Sequence, residues 1–197
     1  MLLFQLIFVF FIMLLGVPLL WYSIVNKCSI KDTFLRLRLK RENLRISLLW
    51  GFIGFLAAFF IVLIINIILM YYGISDNLSN ISVLEEFFSP VSLYIIVTIQ
   101  PIGEEVFFRG FLLDKISFLS GEKSAVISTS ILFGLSHLSY NQSYYIAFYT
   151  MFISMIFGFI LGLIVIKTKN LYASISSHIL INAVSLTIYL IDKSYSF

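Results

Sequence analysis

Two adjacent carboxylates, an arginine and both histidines of this chain fall inside stretches that otherwise read as apolar: Glu104, Glu105 and Arg109 within Ile102 to Leu113, then His137, then His178 followed by Asn182. An ionised group at bilayer depth costs at least about 2.5 kcal/mol on the most lenient insertion scale, so each is a candidate for function. In a helix Glu105 and Arg109 stand at i and i+4 with the acid first, the favourable order for an ion pair, while Glu104 points about 100° away around the axis. Arg109 can therefore neutralise Glu105 and leave Glu104 as the reactive group.

A carboxylate and an imidazole on one water can deprotonate it for attack on a carbonyl. A second imidazole and the Asn182 amide, one turn apart on their helix, can donate to the oxyanion that develops. The same residues also permit zinc, with Glu104, His137 and His178 as three ligands and water as the fourth. No HExxH motif is present, and the metal-free mechanism is the reading preferred. No other cofactor is expected.

The elements that must hold these residues are membrane spans. At 60% hydrophobic and 12% charged residues, the composition lies outside the soluble globular range. Met1 to Val25 reads as a retained first span, without a basic leader region or small-residue cleavage site, and with a kink at Pro18. Ile46 to Tyr72 is the second, with Trp50, Tyr71 and Tyr72 as interfacial anchors and Asn66 as a hydrogen-bonding contact to a neighbouring helix. Val91 to Leu113 carries the acid pair, bent by Pro101. Ser124 to Tyr140 ends near His137; Tyr144 to Ile166 has Gly158 and Gly162 at the spacing of close helix contact; Leu171 to Ile191 bears His178 and Asn182. The expectation is an all-α polytopic bundle of about six spans.

Orientation follows from the basic residues. The connectors 26–45, 114–123 and 167–170 hold all but two of the 13 Lys and Arg, whereas the loop 73–90 has none. The positive-inside rule puts those connectors in the cytoplasm, the first of them lying on anionic headgroups, and both termini outside. With about 1.5 Å of rise per residue, Glu104 lies about 15 Å, His137 about 21 Å and His178 about 12 Å from the cytoplasmic ends of their spans. Three helices thus present ionisable groups at a common level, reached from the cytoplasmic side of the cell membrane. The expected partners are membrane lipids and a membrane-associated protein or peptide substrate. Nucleic acid is excluded, because the aromatic residues sit in the apolar spans.

Glu104-Glu105-Val-Phe-Phe-Arg109, Phe133-Gly-Leu-Ser-His137 and His178-Ile-Leu-Ile-Asn182 resemble the EExxxR, FxxxH and HxxxN motifs of the CPBP intramembrane proteases, the family of the type II CAAX prenyl endopeptidases and of bacteriocin-processing and immunity proteins. The resemblance covers about residues 91–188. It divides the chain into residues 1–90, two N-terminal helices with the basic connector, and 91–191, a CAAX-protease-like catalytic core. It implies an intramembrane endopeptidase in which Glu104 with His137 activates water, His178 with Asn182 forms the oxyanion hole, and Glu105 with Arg109 supports the site. The rival readings are a proton-coupled transporter and a non-catalytic immunity or scaffold protein.

Overall fold

The computed structural model describes residues 12–72, 88–138 and 144–195. Its regular elements are α1 (Ile12–Val25), α2 (Ile30–Arg36), α3 (Leu44–Tyr71), α4 (Pro90–Ser120), α5 (Glu122–Ser136), α6 (Tyr144–Thr168) and α7 (Leu171–Tyr195), with no strand among the described residues. Helix is what the bilayer demands, since backbone groups in hydrocarbon must be paired within their own segment. Four helices, α3, α4, α6 and α7, are long and apolar enough to cross a membrane. The expected six crossings therefore hold only in this coarser form. The 15 residues of α5 rise about 22 Å, short of a hydrocarbon core of about 30 Å. The start of the expected first span (1–11), most of the loop 73–90 and the turn at 141–143 lie outside the described residues.

Aromatic side chains mark the two edges of the bilayer. Trp50 on α3 sits beneath the Lys167 ammonium at 3.9 Å, and Trp21, Tyr22 and Phe111 surround that of Lys115 at 5.7, 4.7 and 5.7 Å. Tyr71 and Tyr72 stand exposed at the far end of α3. The rise from Trp50 to Tyr71 is about 31 Å, one hydrocarbon thickness.

The three basic connectors meet on the Trp50 edge, as expected from the charge pattern. Arg38 pairs with Asp114 at 3.5 Å, and its carbonyl accepts from the Leu171 N–H at 2.9 Å. Asn170 donates to the carbonyls of Lys40 and Glu42 at 2.8 and 3.2 Å while its Oδ1 accepts from the Tyr172 N–H, which caps α7. Lys169 pairs with Glu122, and that bond holds the Glu122 carboxyl below the ordinary range. The first connector is more than a headgroup contact: Leu37 is fully buried in a cluster with Tyr22, Leu113 and Leu171. Residues 114–123, expected as a polar connector, are helical except for Gly121 at φ 85°. Asp114 is engaged by Tyr22 and Arg38 and Lys115 by the aromatic rings, so α4 runs on past them and the chain turns back only at Gly121.

Small residues let the helices close up. A Cβ on Gly51 would lie 2.6 Å from the Ala173 carbonyl, so α3 touches α7 backbone to backbone. On α6, Gly158 and Gly162 face Ser130 and Val126 of α5, bearing out the reading of their spacing. Asn66 accepts from the Tyr149 hydroxyl at 2.6 Å, the interhelical bond expected of it. Through these contacts α3 packs directly on the helices of residues 91–191.

Candidate active site

The acid pair stands at a change in helix type. Ser89 caps α4 by accepting from the Ser92 N–H, Pro90 occupies the first turn, and Pro101 is buried one turn before Glu105. Immediately after Glu105 the helix widens into a π turn, Val106–Leu112. Such turns concentrate at functional sites. Here the wider turn brings the consecutive residues Phe108, Arg109 and Gly110 all to the interior. Gly110 lets the connector pack closely there, since its Cβ would stand 3.2 Å from Leu37 Cδ2 and 3.3 Å from the Leu37 carbonyl.

Arg109 and Glu105 are both completely buried. The guanidinium donates to Glu105 Oε1 at 3.0 Å and to the Gly158 carbonyl of α6 at 3.2 Å, and lies 4.2 Å from the centre of the Phe133 ring. His178 of α7 donates through Nδ1 to the same Glu105 oxygen at 3.0 Å, and its Nε2 faces Glu104 Oε2 at 3.7 Å. The rings of Phe133 and Phe157 hold the imidazole edge to face at 5.7 and 5.1 Å. With Nδ1–H given to Glu105, the neutral ring leaves a lone pair on Nε2. Two acceptors, that nitrogen and a carboxylate oxygen, thus confront each other, and a water about 2.8 Å from each could donate to both.

Glu104, Glu105, Arg109 and His178 are therefore brought into one buried cluster. His137 is close by but differently held. It follows the last residue of α5, where its N–H bonds back to Gly134 and frees the Phe133 carbonyl, which its Nδ1 reaches at 2.8 Å. Its ring lies 4.5 Å from that of Phe133, which touches His178 as well. Asn182 is partly buried one turn beyond His178.

Zinc does not fit this arrangement. Among the described residues no three His, Cys, Asp or Glu side chains form a metal-holding group. Glu104 and His178 converge, but the expected third ligand, His137, is not gathered with them.

Two partners of the cluster escaped the sequence reading. Gln100 donates to Glu104 Oε1 at 2.7 Å. It stands four residues before Glu104, a spacing that could have flagged it, but attention to ionisable groups passed over a neutral amide. The Gly158 carbonyl has no such signal, because its bond to Arg109 depends on how α6 packs.

A family model described as Type II CAAX prenyl endopeptidase Rce1-like matches residues 86–184. No curated protein and no solved structure matches the chain. The matched half begins just before α4 and takes in every residue of the buried cluster, and by it the chain belongs to the Rce1-like family of type II CAAX prenyl endopeptidases.

Proposed function

We propose that this chain is an intramembrane endopeptidase that hydrolyses peptide bonds of membrane-associated proteins, CAAX-like or other, with a water activated by Glu104. The observation that carries this is His178 held between two buried carboxylates, 3.0 Å from Glu105 and 3.7 Å from Glu104. Arg109 compensates Glu105, so Glu104 is the acid left without a cation of its own and is the base of the cluster. Glu104 Oε2 takes a proton from a water that bridges it and His178 Nε2 from the side, and the hydroxide attacks the scissile carbonyl. The Asn182 amide, one turn further along α7, donates to the oxyanion. Collapse of the tetrahedral adduct breaks the C–N bond, and the proton taken by Glu104 passes to the leaving nitrogen. His137 keeps Nε2 free for substrate because its Nδ1–H is given to Phe133. No step requires a metal.

In this reading the chain crosses the cell membrane six times, the connector face is cytoplasmic, and substrate enters from that side. The charge pattern and the meeting of the three connectors support it. The test is a map of new N-termini in membrane proteins exposed to wild-type enzyme or to Glu104→Gln in lipid nanodiscs. Cuts made by wild type should be missing with Glu104→Gln and with His178→Ala. Equal cleavage by Glu104→Gln would overturn the proposal.

A further inference from the structure

Glu104 and Glu105 are neighbours in sequence, equally buried, and provided for in opposite ways. Helical side chains lean toward the N-terminus, so each carboxylate meets a partner four residues away. For Glu105 that partner is Arg109, a cation, on an oxygen that His178 also reaches. For Glu104 it is Gln100, a neutral amide on the preceding turn, bonded to Oε1 at 2.7 Å. An amide orients a carboxylate without cancelling its charge, whereas a guanidinium does both.

We infer that Gln100 is a positioning residue for Glu104, tying down Oε1 so that Oε2 alone is presented toward His178 Nε2 and the water that bridges them. This rests on the endopeptidase reading and extends it to a residue outside the three motifs. The Glu104 side chain has three rotatable bonds, and the Gln100 bond limits its rotation. Pro101 follows Gln100 directly and lacks an N–H, so the backbone bond to the Val97 carbonyl is missing in the turn that carries the amide. A base displaced by a fraction of its reach loses rate while substrate binding, made elsewhere, is unaffected.

The experiment uses the full-length protein in nanodiscs and a quenched-fluorescent peptide spanning a site cut by wild type. Gln100→Leu and Gln100→Met both remove the donor at similar volume, so a packing failure in one leaves the other to be measured. Gln100→His restores an N–H at a similar reach. The expected result is a fall in kcat of about 10- to 100-fold in the apolar variants, with KM unchanged in protein that stays folded at the assay temperature and most of the rate regained in Gln100→His. Rates within about twofold of wild type in both apolar variants would overturn the inference. So would a loss that Gln100→His fails to relieve, which would show that shape rather than donation matters. Glu104→Gln separates the two levels: if it is inactive, a silent Gln100 sinks only the positioning role, whereas if it still cleaves, the endopeptidase reading falls and takes this inference with it.

Discussion

Arg109 is the cation on which the buried cluster depends. Its guanidinium is wholly out of water, held by one carboxylate, one carbonyl and the ring faces of Phe133 and Phe108, while its Nε has no partner. Removing one member of a buried pair leaves the other uncompensated, which typically costs about 3–5 kcal/mol. Arg109→Leu should therefore lower thermal stability by that order, measured as the melting transition in detergent. Arg109→Lys should recover little, since an ammonium cannot both reach two acceptors and lie flat on Phe133. The donor set argues a second outcome at this level. Chelation should leave cleavage unchanged, with elemental analysis of active protein showing no stoichiometric zinc; loss of activity in chelator with rescue by zinc would contradict it. The Glu105–Arg109 pair was legible from spacing alone. That His178 would bond Glu105 and also face Glu104 was not, because it depends on the rotation of α7 about its own axis.

Helix boundaries were legible to within about a turn except at α4, which runs seven residues past the expected Leu113, and two further features of the elements were not legible. The π turn at Val106–Leu112 has no local residue signature, since a backbone that slips by one residue is settled by what packs on it, here Leu37 and Leu171 against Gly110. Asn170 read as an ordinary turn residue, yet it is buried, caps α7 and donates to two connector carbonyls. Asn170→Ala removes the cap, worth about 1 kcal/mol, and strips the Lys40 and Glu42 carbonyls of their donor. A loss of about 2 kcal/mol or more is expected, accompanied by faster proteolysis of residues 38–43. Gly51 poses the opposite problem. The atom nearest a new Cβ is the Ser176 hydroxyl, which can rotate, but the Ala173 carbonyl at 2.6 Å cannot. Gly51→Ala should force α3 away from α7 and cost about 1–3 kcal/mol; an unchanged melting temperature would show that this contact is looser than described.

Taken together, the bundle has a charged, tightly tied face at the Trp50 edge and an aromatic rim about one bilayer away, with the acid pair between them. Which face is cytoplasmic bears on the mechanism, because substrate must descend about 15 Å from its own side to reach Glu104. The single cysteine gives a direct test. Cys28 is only partly buried and lines an open surface cavity of about 580 Å³ with Lys27, Asp32, Arg36, Lys40 and Glu42, so a thiol reagent has access to it from the connector side. A membrane-impermeant maleimide should leave Cys28 unmodified in intact cells and modify it once the membrane is opened. Tyr72, exposed at the other rim, should behave in the reverse way as Tyr72→Cys in a Cys28→Ser background, reacting in intact cells. Labelling of Cys28 from outside would invert the bundle, and the route to Glu104 would then open from the other side of the membrane.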